Sequence, residues 1–185
     1  MSLEPQDVVA RTRRWLERAV IGLNLCPFAG SVYRQDRIRY VVSNASDEAA
    51  VLGELVTELR RLHEADSASV ETTLLILPAA LVDFLDFNDF LAVAESVVAK
   101  LGLEGELQVA SFHPGYRFAG TLPDDPGNAT NRSPYPTLHL LRERSISRAV
   151  DAYVGIEEIG ERNAETLRRL GNEGWARLWQ EPTKD

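Results

Sequence analysis

Residues 72–78 read TTLLILP, a short uninterrupted apolar run closed by a proline. Such a run is too short for a typical globular helix and lacks the alternation of a half-exposed strand. It predicts a strand covered on both faces, at the centre of a sheet. A strand of that kind needs a layer above and below it, and the flanking sequence supplies both. Upstream, Ile38, Tyr40 and Val42 alternate with Arg37, Arg39 and Val41, the period of two of a strand with one more polar face. Between the two runs, Ser46 is placed to cap a helix reaching about His63, with Asp47 and Glu48 in its first turn and Val51, Leu55, Leu59 and Leu62 on its apolar side. Downstream, Asp83 is placed to cap a second helix, in which Phe84, Phe87, Leu91, Ala94, Val98 and Leu101 recur at three and four residues before Gly102. A third strand is expected over Leu107 to Phe112.

Strand, helix, strand, helix, strand is the order of consecutive right-handed crossovers. It predicts an α/β architecture with a small, mostly parallel three-stranded sheet and flanking helices. Residues 136–143, PTLHLLRE, bear on the strand count. Leu138 and Leu141 fit a short helix behind Pro136, whereas Thr137, His139 and Leu141 fit one face of a strand. The helix is the reading adopted; the strand would make the sheet four-stranded.

Helices are expected at both ends. From Pro5 to about Leu23, Val8, Thr12, Trp15, Leu16, Ala19 and Val20 recur at helical spacing, and Pro27 disfavours helical geometry at Cys26. Arg11, Arg13, Arg14 and Arg18 on the other side could meet an anionic partner; the reading adopted is a solvated face with Glu17 as local counter-ion. Toward the carboxyl end, Ser145 is placed to cap a helix carrying Ile146, Ala149, Val150 and Tyr153. Another helix runs from Ile156 to Leu170, bent near Gly160, with Asn163 on its apolar stripe. A buried Asn there is expected to tie the helix to a neighbouring loop. Residues 172–185 form a tail with Trp175, Leu178 and Trp179 at helical spacing.

The chain of 185 residues, 44% hydrophobic, suits one domain. A net charge of -8 argues against a nucleic-acid partner, which needs a basic surface. No stretch has the length and apolarity of a signal peptide core or a membrane span, so a cytoplasmic protein with no membrane partner is expected. The single cysteine, Cys26, excludes an internal disulfide and a multi-cysteine zinc site.

The chemistry concentrates between Phe112 and Pro136, FHPGYRFAGTLPDDPGNATNRSPYP. Four prolines and three glycines make a bent, restricted path, and Phe112, Tyr116, Phe118 and Tyr135 can anchor it by burial, so an ordered functional loop is expected. No Walker loop, dinucleotide fingerprint, GxSxG elbow or HExxH motif occurs. His113 follows a strand end, where it suits either acid–base work or a structural bond to the loop backbone. Asp124 and Asp125 could hold a hard cation or serve general base chemistry with His113, and the reading adopted is ordinary turn formation between prolines. Arg117, Arg132 and Arg142 could grip a phosphate or carboxylate with two-pronged bonds, or neutralise the aspartates. Asn128, Asn131, Tyr135 and His139 complete the candidate binding set. Cys26 reads as a small buried hydrophobe, and a nucleophilic role would need a histidine from elsewhere, with His113 the obvious choice.

IGLNLCPFA, TTLLILP, ASFHPGYRFAG and TNRSPYPTLHLLRE together resemble the bacterial family of unknown function DUF1415, over nearly the whole chain. The resemblance implies a soluble bacterial single-domain protein and carries over no activity, substrate or catalytic residue. From the residues, the leading expectation is an enzyme acting on a small anionic metabolite by acid–base chemistry at the loop. His113, Asp124 and Asp125 would move protons there, with no cofactor or metal. The alternatives are a non-catalytic module for a small ligand or peptide and an interaction protein forming a homodimer. On the leading expectation His113, Arg132 and one of the two aspartates converge on a solvent-reachable pocket.

Overall fold

The computed structural model describes residues 4–152 and 158–178. Chain order runs α1 (Pro5–Trp15), a π-helical turn (Leu16–Ile21), α2 (Ala29–Arg34), β1 (Ile38–Val42), α3 (Glu48–Glu64), β2 (Thr72–Ile76) and α4 (Phe84–Lys100). It continues with β3 (Leu107–Phe112), a 3-10 helix (Pro126–Asn131), β4 (Thr137–Arg142), α5 (Glu143–Ala152) and α6 (Ile159–Leu178). Tyr153, Ile156 and Trp179, assigned above to helices, lie outside the described residues.

The architecture is α/β, with one four-stranded mixed sheet in the order β1-β2-β4-β3. β1 and β2 pair in parallel, Ile38 opposite Thr72, while β4 runs antiparallel to both its neighbours. The expectation of a mostly parallel three-stranded sheet is therefore corrected. β1, β2 and β3 do point the same way, as the two crossovers require, but PTLHLLR inserts between β2 and β3 as a strand rather than forming a helix. Both edges of that segment are satisfied by ladder bonds, and its alternation sends Leu138 and Leu140 into the core beneath α3 and α4. Partners on two sides override a weak local helical pattern. Because Phe112 pairs with Thr137, the long connection leaves and re-enters the sheet at one edge, the carboxyl end of the three co-directional strands.

Each sheet face has its own core. Leu75, Leu77, Leu138 and Leu140 pack under α3 and α4 with Leu55, Leu59, Phe87 and Phe90. Leu74 and Ile76 point the other way, against Val8, Trp15 and Val20 of α1 and the π turn. Caps fall close to expectation. Asp83 accepts from the Leu85 amide at 2.8 Å, whereas Asp47 rather than Ser46 caps α3, through the Ala50 amide at 2.9 Å. α5 starts directly from β4 at Glu143, so Ser145 is not its cap. α6 passes Gly160 and departs from helical geometry at Gly171, whose φ of 69° suits glycine. Asn163 is buried and donates to the Leu25 carbonyl at 2.7 Å, tying α6 to the turn after the π segment. Among the described residues no helix is long and apolar enough to cross a membrane.

Candidate functional site

The β3–β4 connection is ordered because most of its polar groups are spent on its own backbone. His113 is 2% exposed. Its Nε2 donates to the Leu81 carbonyl at 3.2 Å and its Nδ1 accepts the Gly115 amide at 3.0 Å, so neither nitrogen is left for proton transfer. The ring lies against Phe84 and Phe87, with centroids 5.4 and 5.0 Å away. Burial pushes its pKa below the ordinary imidazole value, against the opposing pull of the Leu81 and Val82 backbone and Asp83. Asn128 is wholly buried and acts as a hub. Its Oδ1 accepts from the Phe118 amide (3.0 Å) and the Thr121 hydroxyl (2.8 Å), and its Nδ2 donates to the Leu122 carbonyl (2.8 Å).

The aspartates face a different element. Asp125 caps the 3-10 helix through the Gly127 amide at 2.8 Å and receives Arg168 Nε and Nη2 from α6 at 3.2 and 3.0 Å. Arg168 first, and that amide second, hold its carboxyl below the usual carboxylate range. Asp124 is exposed, and its carbonyl accepts from Asn172 Nδ2 at 3.1 Å. α6 comes this close because residue 127 has no side chain; a Cβ there would sit 3.3 Å from that of Ala164. The other candidates scatter. Arg117 is exposed, and Asn131 Nδ2 reaches the Ser111 carbonyl at 3.3 Å. Arg142 Nη2 bonds the carbonyls of Leu62 and Ala65 (both 2.7 Å) and Val70 (3.2 Å), stitching β4 to the end of α3. Phe118, expected as a buried anchor, is 37% exposed and edges onto Tyr116 instead.

The expected convergence of His113, Arg132 and an aspartate is not what the fold builds. Of these, Arg132 lines a cavity. Its Nε donates to the Tyr116 carbonyl at 3.2 Å and its Nη2 to that of Pro123 at 2.9 Å, which sets the plane of the guanidinium. Burial lowers its pKa, though a guanidinium stays charged. The cavity, about 730 Å³, lies where the connection meets α1. Arg132, Ser133 and Tyr135 face Asp7, Arg11 and Arg14, which share one helix face at spacings of four and three. The Tyr135 hydroxyl is enclosed without a partner among the described residues. Arg13 and Arg18 point elsewhere, the first over the Tyr40 ring (4.6 Å) and the second to the Leu178 carbonyl (3.0 Å). The four arginines therefore divide, Arg11 and Arg14 lining this cavity and Arg13 and Arg18 lying away from it. The common face of Arg11 and Arg14 was legible, but what lay opposite was not.

A second cavity, about 390 Å³, lies where the π turn, α2 and the start of α5 leave part of the sheet uncovered. Trp15, Leu16, Leu74, Phe112 and Ile146 give it apolar walls, and Cys26 and His139 also line it. Cys26 is half-buried rather than enclosed, which corrects the buried reading. The histidine sharing its surroundings is His139, not His113. Thr72 Oγ1 donates to the Leu140 carbonyl (2.6 Å) and must therefore accept from His139 Nε2 (2.7 Å). The apolar surroundings push His139 down to about 4. The residue is nonetheless part-exposed and lines the cavity, where water would soften the shift and an apolar occupant would deepen it. Among the described residues, no three His, Cys, Asp or Glu side chains gather where a metal ion could sit.

Neither the curated proteins nor the solved structures contain a match to this chain. The sequence model of one family, described as a protein of unknown function (DUF1415), matches residues 7–177, and the chain belongs to that family.

Proposed function

We propose that the chain is a binding module for a small anionic metabolite, phosphate- or carboxylate-bearing, held in the cavity between the β3–β4 connection and α1. The observation that carries this reading is the charge of the walls. Among the described residues that line the cavity are three guanidinium groups, of Arg11, Arg14 and Arg132, and one carboxylate, that of Asp7, in a chain whose net charge is -8. A concave surface of one sign focuses the field and attracts the opposite ion. Guanidinium groups match phosphate and carboxylate oxygens with paired donors. Arg132 is already oriented by its two bonds to the loop, so a ligand would lose little side-chain freedom in meeting it. Binding is favoured over acid–base catalysis because both His113 nitrogens are occupied and, among the described residues, no imidazole lines this cavity.

Calorimetric titration at fixed ionic strength tests the proposal, using inorganic phosphate, a sugar phosphate, citrate and the corresponding neutral sugar. The anions should bind saturably and the neutral sugar should not. Arg11 is exposed, so Arg11→Gln should leave stability within about 0.5 kcal/mol. It should weaken anion binding by about tenfold or more, the worth of one charge-assisted hydrogen bond. Equal binding of sugar and sugar phosphate, or unchanged affinity in Arg11→Gln, would refute the reading.

A further inference from the structure

The apolar cavity over the sheet is independent of the arginine-lined one and has different chemistry. Its walls are almost wholly hydrocarbon, and its volume of about 390 Å³ falls within the range of small-molecule sites. The charged groups at its margin are already engaged. Glu71 pairs with Arg37 at 3.2 Å, and Arg142 Nη2 is shared among three carbonyls. Arg142 Nε is itself closed off from solvent, so the part of this side chain that remains unpaired is not presented to a ligand, and a charged ligand would be desolvated against hydrocarbon.

One polar atom stands apart. His139 Nε2 carries the ring proton and gives it to Thr72, so Nδ1 holds a bare lone pair. No hydrogen bond joins Nδ1 to another of the described residues. The ring that carries it is part-exposed and lines the cavity. Phe112 flanks the ring, centroid to centroid 5.9 Å, and Thr72 locks its orientation. The result is a pre-oriented acceptor in a largely apolar wall.

We propose that this cavity is a ligand site for a neutral, largely apolar small molecule that presents one hydrogen-bond donor, such as a phenol, to His139 Nδ1. Cys26, the only cysteine in the chain, sits on the same wall and reports occupancy. A ligand without a donor would strand Nδ1 against hydrocarbon, and a site built around one polar group discriminates strongly against the analogue that lacks the matching group.

The test compares p-cresol with toluene and 4-methylanisole on the full chain, reading tryptophan fluorescence, since Trp15 lines the cavity, and the rate of Cys26 alkylation by N-ethylmaleimide. p-Cresol should bind at least tenfold more tightly than either analogue and slow alkylation at least fivefold at saturation. His139→Leu should reduce p-cresol to the level of toluene while leaving toluene unchanged. If that variant does not fold, the ratio of the three ligands on the wild-type chain decides alone. Equal affinity for all three, or saturation without protection of Cys26, overturns the proposal.

Discussion

The β3–β4 connection has an inner part and a rim, and the two use similar residues to opposite ends. On the inner side, His113, Asn128 and Asp125 have their hydrogen-bonding atoms taken up by backbone groups or by Arg168. At the rim, Arg132 spends two donors on carbonyls and still lines a cavity with Arg11 and Arg14. A density of polar residues in a loop therefore does not locate a site. What locates one is which of those groups remain unspent once the backbone has been satisfied.

That contrast can be broken most forcefully at the hub. Asn128→Ala should leave the part-buried Phe118 amide and Leu122 carbonyl without their partner. The expected cost is about 3 kcal/mol, or roughly 6–12 °C in Tm for a chain of this size. Calorimetric melting checks it, and a change under about 0.5 kcal/mol would show that the inner bonds are replaceable by water.

Next in size is acid. His139 and His113 are both held neutral by burial and protonate more readily in the unfolded chain. The unfolded state therefore binds more protons as pH falls below about 6.5, the ordinary imidazole value. Stability contributed above that pH is lost progressively on the way down to about 4, the folded value for His139. For His139 the full loss is on the order of 3 kcal/mol, at about 1.4 kcal/mol per unit. Denaturant melts from pH 7 to pH 4 measure it, and His139→Gln should flatten the profile while leaving the share due to His113. An unchanged profile in that variant would mean that water already solvates the ring.

Arg132→Ala sharpens the comparison at the boundary between the two parts. It removes one bond to Tyr116 and one to Pro123, a loss of about 1–2 kcal/mol, and it should also abolish anion binding. Loss of stability with undiminished anion affinity would assign Arg132 to the inner group.

Much of the scaffold could be read locally. Residues 38–42, 72–76 and 107–112 are strands where alternation or unbroken apolarity placed them, and Asp83 caps the helix it was expected to cap. PTLHLLRE was misread because its identity as a strand lies in its partners, β2 on one side and β3 on the other, and not in its own eight residues. The loop was legible as ordered from its prolines and aromatics. The direction of its side chains was not. Arg168 and Asn172 meet Asp125 and Asp124 across more than forty positions of sequence. Arg11 and Arg14 reach the cavity from the far end of the chain. Thr72, which fixes the His139 tautomer, lies 67 residues away from it.

The central claim, that the rim and not the whole connection is the binding surface, is tested most directly by following the arginine Nε–H resonances of the labelled protein during a phosphate titration at constant ionic strength. Arg117 is the internal control, an exposed arginine in the same connection but outside the cavity. The account predicts that Arg11, Arg14 and Arg132 shift together and saturate at one dissociation constant while Arg117 does not move. Shifts of similar size at Arg117, growing linearly with phosphate, would contradict it.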